Sequence, residues 1–318
     1  MDLNIKTKKF CFSLSKDLKT SQGILKDKEG WLIRIQNNYG KIGWGEVSPI
    51  NEKELYRCKK ILQGINPYTS REELEENIKL SPKSLGFGLG SALAEIDSFI
   101  GEGTKEGWLK PPKSALLLTL NNSTIDYVNN SLDKSKGITL KLKVGLDSDK
   151  KERELIEELL KCMPGNSKLR LDPNGAWEFN QALDWAYKLK DNPKIEWIEQ
   201  PLEAVDITGL IKLSKIISIA LDESLITNPA LIKLWEGWQV RRPSIEGDPR
   251  SILKEFRKGV KFRTISTTFE TGIGKRWIEH LAALQVKGPT PTAPGLAPGW
   301  LPKTNLFSNC PELVWESV

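Results

Sequence analysis

Four short runs decide how this chain folds: ITLKLKVG (138–145), KLRLDPNGAW (168–177), IEWIEQPL (195–202) and ISIALDES (217–224). Each is an apolar, strand-like pattern that stops on a charged residue, Lys143, Asp172, Glu199 and Asp222 in turn. From 143 to 172, 172 to 199 and 199 to 222 the intervals are 29, 27 and 23 residues, close to the roughly 25 that one strand, one helix and two loops occupy in a barrel. Working outward, the rhythm extends back to SALLLTL (114–120) and forward to WQVRR (238–242) and KFRTIST (261–267), with helical patterns such as KERELIEELLKCM (151–163) between. An eighth strand is expected near Pro291 to Leu296. The reading is an α/β fold, a (β/α) TIM-type barrel over residues 111–300, with a doubly wound open sheet as the alternative.

Upstream the pattern changes. Between Ile5 and Pro49, FCFSL, WLIRIQ and KIGWGEV are aromatic and β-branched runs bounded by turn residues, the marks of an antiparallel meander. From Glu52 to Ile100 apolar residues recur at helical spacing, Leu55, Cys58, Ile61 and Leu62 on one face and Leu89, Leu93, Ile96 and Ile100 on another. Strands followed by helices predict a small α+β domain over 1–110, with 301–318 a C-terminal tail packing back on it.

Composition removes several function classes. No apolar run approaches the roughly 18–20 residues that cross a bilayer, and MDLNIKTKKF alternates charged and apolar residues where a signal peptide needs a continuous apolar stretch. A cytoplasmic protein without membrane contact is expected. The net charge of +6 is spread over 47 basic and 41 acidic residues along the whole chain, so nucleic acid is not an expected partner. Cys11, Cys58, Cys162 and Cys310 form no C-x-x-C pair and are expected to be reduced and mostly buried. The single histidine, His280, falls in an amphipathic helical segment and is expected at the surface or in packing, which excludes His-rich zinc sites. The Gly-rich GFGLG (86–90) lacks the strand-to-helix context of a dinucleotide loop.

In a barrel the C-terminal ends of the strands form one rim, so Lys143, Asp172, Glu199 and Asp222 are expected to meet there. Three carboxylates converging in a partly buried mouth repel one another unless a cation neutralises them. With only oxygen ligands at hand, Asp172, Glu199 and Asp222 are expected to bind a hard divalent ion, Mg²⁺, with Mn²⁺ as a substitute. Lys141 and Lys143 sit two apart, hence on one side of a strand. A metal and a second ammonium nearby are expected to push such a lysine toward its neutral form, as a base requires.

The set K-x-K, LDPNGAW, WIEQPL and ALDES, in this order and spacing, resembles the muconate-lactonising branch of the enolase superfamily, whose sites use a Lys or His base with Mg²⁺. KTSQGILKDKEGWLIRI and GWGEVSPI look like that family's capping domain, and STTFETGIG (266–274) like its seventh-strand segment. The resemblance implies that Asp172, Glu199 and Asp222 bind the metal, that Lys143 is the base and that Lys141 is its electrostatic neighbour. Where relatives carry a second lysine in a K-P-S segment, this chain reads RRPSIEG, with Arg242 in its place. Arginine stays protonated and does not shuttle a proton, which disfavours two-base racemases and epimerases and leaves a one-base syn elimination. The implied reaction is a carbon–oxygen lyase step, dehydration of a small carboxylate to 2-succinylbenzoate on the way to menaquinone or phylloquinone. Dipeptide epimerase, N-acylamino-acid racemase and muconate cycloisomerase activities, or a catalytically inactive binding barrel, are the alternatives. Asn174, Ser266, Thr267 and Glu270 are expected to line the substrate pocket, Arg242 to face the substrate ring, and Thr20 to Gly23 to form a loop over the pocket.

Overall fold

The N-terminal alternation becomes a long hairpin. In the structure, a computed structural model that describes residues 2–20, 23–130 and 137–318, β1 (Asp2–Thr20) pairs antiparallel with β2 (Gly23–Asn37). β3 (Ile42–Val47) adds to one edge. After helix α1 (Glu52–Gly64), the short β4 (Tyr68–Ser70) adds to the other edge, giving the order β3-β2-β1-β4. Helices α2 (Arg71–Leu80) and α3 (Lys83–Ile96) complete this α+β unit.

One face of the sheet carries Leu3, Ile33, Ile35 and Val47, which pack on Cys58, Leu74, Leu85, Leu89 and Leu93 of the helices. The other face, with Phe10, Phe12, Leu32 and Trp44, packs on Leu306, Val314 and Trp315 near the chain end and on Ile273. There Phe12 and Phe307 meet edge to face at 4.9 Å, and Lys8 Nζ donates to the carbonyls of Trp315 and Val318 at 2.8 and 2.9 Å.

Helix α3 is apolar on all sides because it is buried on all sides. Leu85, Leu89 and Leu93 face the antiparallel sheet, while Phe87 and Ala94 pack on Ile252, Phe256 and Trp277 of the second unit. The Gly-rich run has its explanation here. A Cβ on Gly45 would lie 1.9 Å from the carbonyl oxygen of Gly88, so the strand and helix approach each other only because side chains are missing.

The second unit is the repeating pattern realised. Seven parallel strands follow in sequence order: β5 (Leu116–Thr119), β6 (Thr139–Lys143), β7 (Lys168–Asp172), β8 (Ile195–Glu199), β9 (Ile219–Leu221), β10 (Trp238–Arg241) and β11 (Arg263–Ile265). Helices α4 (Asn122–Asn130), α5 (Asp149–Cys162), α6 (Phe179–Leu189), α7 (Ile207–Ser214), α8 (Glu223–Thr227), α9 (Leu231–Leu234), α10 (Pro249–Lys258) and α11 (Gly272–Val286) lie between and after them, with α12 (Pro311–Glu316) near the end. The expected eighth strand is reduced to an isolated parallel bridge between Ser266 and Gly295. Residues 294–295 still join the two sheet edges: Gly295 N donates to Ile265 O at 2.7 Å, and Ala115 N donates to Pro294 O at 2.9 Å. The sheet is therefore curled into a barrel, and the open-sheet alternative falls away.

Strand alternation sorts the barrel's side chains. Leu140, Leu142, Leu169, Leu171, Ile198 and Ile219 pack outward on Ile156, Leu159, Trp185, Leu210 and Leu213 of the helices. Lys141, Lys143 and Asp172 occupy the alternate, interior positions, with a layer of Trp197, Ala220 and Val240 also inside. Arg170 stacks on Trp197, its guanidinium 4.0 Å from the ring centre. Among the described residues no helix is long and apolar enough to cross a membrane.

One sequence expectation is corrected, and a second is narrowed to one of its two arms. Of the four cysteines only Cys58 is buried, and Cys11 and Cys310 are exposed. The first sits at an outward position of β1, the second just before the short α12. His280 is fully buried and accepts a hydrogen bond from Leu109 N at 3.2 Å, which makes it a packing residue.

Candidate active site

The barrel register places Lys143 directly beside Asp172 on the neighbouring strand. Lys143 Nζ donates to Asp172 Oδ2 at 2.7 Å and to Asn174 Oδ1 at 2.5 Å. Lys141, one interior position lower, reaches Asp172 Oδ2 at 2.8 Å and Glu199 Oε1 at 2.5 Å. Arg242, just past β10, holds Asp222 with two bonds, Nε to Oδ1 at 2.8 Å and Nη2 to Oδ2 at 2.5 Å. Its Nη1 donates to Thr267 O at 2.7 Å. Lys141, Lys143, Asp172, Glu199 and Asp222 are all less than a tenth exposed. Lys143, Asn174, Asp222, Glu223 and Arg242 open onto a cavity of about 920 Å³ between the barrel rim and the antiparallel unit.

Burial and pairing compete at each group. For Asp172, burial favours the neutral acid, but Lys141 and Lys143 outweigh it and hold the carboxyl well below its ordinary range. Asp222 is lowered against burial by Arg242. Glu199 goes the other way, raised by burial and by the like charges of Asp172 and Asp222. Glu223 is pushed up to about 7, by burial first and then by Asp222 and Asp172. Burial disfavours the Lys141 ammonium, yet Asp172 and Glu199 raise it above the ordinary lysine range.

Local backbone holds the rim in place. In LDPNGAW, Asn174 takes a left-handed conformation (φ 49°) and its N–H returns to Asp172 Oδ1 at 3.1 Å. That turn aims the Asn174 amide at two neighbours, accepting from Lys143 and donating to Glu223 Oε1 at 2.9 Å. Gln200, fully buried after β8, accepts from the N–H groups of Asp222 and Ser224 at 3.2 and 3.1 Å, and donates to Ser224 Oγ at 2.8 Å. It therefore ties the Glu199 strand end to the Asp222 strand end.

Ser266 and Thr267 line a smaller cavity together with Lys141, Lys143 and Arg242. Glu270 lines neither cavity. Its carboxylate accepts from Ser244 Oγ (2.6 Å), Thr267 Oγ1 (2.5 Å), Thr268 N (2.9 Å) and Thr268 Oγ1 (2.9 Å). With its oxygens so engaged, Glu270 braces the β11 loop, which corrects its expected place against substrate. Of the expected loop over the pocket, Ser21 and Gln22 lie outside the described residues.

Residues 128–236 match the family described as enolase C-terminal domain-like. The chain is 27% identical over 285 residues to o-succinylbenzoate synthase of Thermosynechococcus vestitus, covering 84% of this chain and 85% of that protein. It is 27% identical over 246 residues to L-Ala-D/L-Glu epimerase of Bacillus subtilis, covering 71% and 67%. The crystal structure of o-succinylbenzoate synthase from Thermosynechococcus elongatus BP-1, complexed with Mg in the active site, superposes with a TM-score of 0.82 at 25% identity, covering 99% of this chain and 100% of that one. The chain resembles the enolase superfamily in sequence and in fold.

This resemblance raises the question of whether these residues suit a divalent ion. The donor chemistry does. Three buried carboxylates stand on successive strand ends, and Glu223 Oε2, buried beside them, has no hydrogen-bond partner among the described residues. These are hard oxygen donors. Their arrangement differs from the expectation of three converging carboxylates: among the described residues no three such side chains are spaced to hold one ion. Lys141 stands between Asp172 and Glu199, and Arg242 covers both oxygens of Asp222.

Four residues of this site escape sequence reasoning. Glu223 follows Asp222 directly, where the strand period has ended, so alternation does not select it; two adjacent acids at a strand end are the only signal. Gln200 has the same position after Glu199. Glu46, from the antiparallel unit, accepts from Thr271 Oγ1 (2.5 Å), Thr271 N (3.0 Å) and Gly274 N (2.9 Å) at the start of α11, and burial pushes it up to about 7. Lys28 also enters from that unit, and nothing in the sequence distinguishes it from the other 46 basic residues, since the total is 47.

Proposed function

We propose that this protein is a Mg²⁺-dependent o-succinylbenzoate synthase, which dehydrates 2-succinyl-6-hydroxy-2,4-cyclohexadiene-1-carboxylate to 2-succinylbenzoate in menaquinone or phylloquinone biosynthesis. The observation that carries this reading is the Arg242–Asp222 pair. A guanidinium held by two bonds to a buried carboxylate is a permanent cation. With no proton shuttle there, Lys143 remains as the single base at the rim, and one base suffices for a syn elimination.

In this reading Lys143 enters as the free amine and takes the proton from the ring carbon that bears the carboxylate. The same Nζ then returns that proton to the hydroxyl leaving the adjacent carbon, so the ring becomes aromatic and water departs. Lys141, held as an ammonium by Asp172 and Glu199, offers fixed positive charge to the anion formed in between. Asn174, bonded to Lys143, keeps its Nζ directed at the cavity. Asp172, Glu199 and Asp222 would hold Mg²⁺, with Mn²⁺ as a substitute, and the ion supplies positive charge against the substrate carboxylate when bound. Ser266 and Thr267 lie at the floor of the substrate site. We assign residues 1–110 to a capping domain, 111–300 to the barrel and 301–318 to the tail, in a cytoplasmic enzyme.

The epimerase among the relatives supports a second reading, 1,1-proton transfer on a dipeptide. Purified protein should be assayed with the hydroxycyclohexadiene carboxylate, with and without Mg²⁺, by loss of diene absorbance, and in parallel with L-Ala-L-Glu in D₂O. Metal-dependent loss of the diene with no deuterium uptake by the dipeptide is expected. Deuterium incorporation without dehydration would replace the lyase by an epimerase.

A further inference from the structure

The cavity above Lys143 is lined on its other side by a buried lysine that the proposed chemistry does not use. Lys28, on β2, is 3% exposed and lines the same 920 Å³ cavity as Lys143, Asn174 and Arg242. Its Nζ donates to two main-chain carbonyls, Ser48 O at 3.2 Å and Pro49 O at 3.3 Å. An ammonium carries three donors. Among the described residues Lys28 has no carboxylate within ion-pair distance, and it makes no further bond.

The acids nearest to it are committed elsewhere. Glu270 is taken by Ser244, Thr267 and Thr268, and Glu46 by Thr271 and Gly274. Burial lowers the Lys28 ammonium below its ordinary range, with Glu270 and Glu46 opposing only from a distance. A buried cation supported by two long carbonyl bonds is costly unless an anion joins it. The cavity is built for one. Lys53, Arg57 and Lys83 add cations at the Lys28 end of its lining, where Glu54 is the opposing acid and Asp222 and Glu223 stand at the barrel rim, while Leu25, Ile50 and Phe269 supply apolar surface.

We infer that Lys28 is the anion-binding group for a second carboxylate of the substrate, so that the cavity selects dicarboxylates with one acid at the barrel rim and the other at the antiparallel sheet. This deepens the reading above and rests on its claim that the substrate's first carboxylate sits at the rim. Lys28 is here a specificity residue and takes no part in proton transfer.

The test compares two probes in the presence of Mg²⁺ by calorimetric titration: 2-succinylbenzoate, and 2-butyrylbenzoate, which has the same keto chain without the distal acid. A charge-assisted bond of this kind corresponds to about a tenfold to hundredfold preference for the dicarboxylate. The wild type is expected to show it, Lys28→Gln to reduce it to near unity while leaving 2-butyrylbenzoate affinity unchanged, and Lys28→Arg to restore it. A role confined to holding the Ser48–Pro49 turn would lower the Tm of Lys28→Gln and weaken both probes alike, which overturns the inference. So does a wild type that binds the two probes equally or binds neither, whatever the folding of the variants. The two readings separate cleanly. A Lys28-dependent preference without turnover of the cyclohexadiene keeps the subsite and removes the lyase; turnover with an unchanged preference in Lys28→Gln does the reverse.

Discussion

Arg242 and Asp222 form a closed two-bond pair at the barrel rim, Nε to Oδ1 at 2.8 Å and Nη2 to Oδ2 at 2.5 Å, so that the carboxylate has both oxygens engaged by a guanidinium. A divalent ion that uses Asp222 must compete with that fork. Replacing Arg242 by Ala frees both oxygens and leaves the cluster of Asp172, Glu199, Asp222 and Glu223 with one cation fewer. Arg242→Ala is therefore expected to bind Mg²⁺ at least about tenfold more tightly, a gain of about 1.4 kcal/mol, and to melt lower without metal. The midpoint of the Tm rise in a Mg²⁺ titration measures this; an unchanged or weaker midpoint would show that Arg242 does not compete. Arg242→Lys should retain part of the dehydration activity, since a cation remains at that position.

Lys143 is the proposed base, and its loss should separate chemistry from binding. Lys143→Ala is expected to lower kcat by about 10²–10⁴-fold or more, while the Mg²⁺-dependent rise in Tm persists. Near-normal dehydration by this variant, read by diene absorbance, would refute the assignment.

Asp172 is shared by Lys141 and Lys143, at 2.8 and 2.7 Å, and is also a proposed metal ligand. Asp172→Asn should abolish the stabilisation that millimolar Mg²⁺ gives the folded state by mass action. It also leaves the buried Lys141 ammonium and the Lys143 Nζ facing a neutral amide, which costs about 3–5 kcal/mol of stability. A variant with an intact Mg²⁺ response would remove Asp172 from the metal site.

The two units are also tied by charge. Glu75 on α2 accepts from Arg250 on α10 through both oxygens at 2.7 Å and from Arg71 at 2.8 Å, and these bonds, Arg250 first, bring it down to about 2 from 4.5. A carboxyl whose folded pKa is depressed stabilises fully above its unfolded value and loses that contribution as pH falls through the folded one. Glu75→Gln should therefore lower stability by about 1 kcal/mol near pH 7, a figure reduced because the side chain is partly solvated. The gap between variant and wild type should close between pH 4.5 and about 2. Denaturant midpoints across that range would test it, and a gap constant with pH would assign the effect to packing instead.

The barrel and its rim were legible in the order and spacing of the residues. Alternation along ITLKLKV separates outward Leu140 and Leu142 from inward Lys141 and Lys143, because a strand has period two. The intervals between Lys143, Asp172, Glu199 and Asp222 bring them to one end, because each strand–helix unit returns the chain to the same side of the sheet. How these charges pair and what lies over them follow from the packed fold alone. Lys141 meets Glu199, 58 residues away, and Arg242 meets Asp222 only because strand register and barrel closure set interior distances to within a hydrogen bond. Lys28 and Glu46 come from a different sheet altogether, and no local pattern encodes a contact made by docking one unit on another. The glycines of α3 follow the same rule: their necessity lies in the strand they touch, since steric exclusion acts between elements that the chain brings together only on folding.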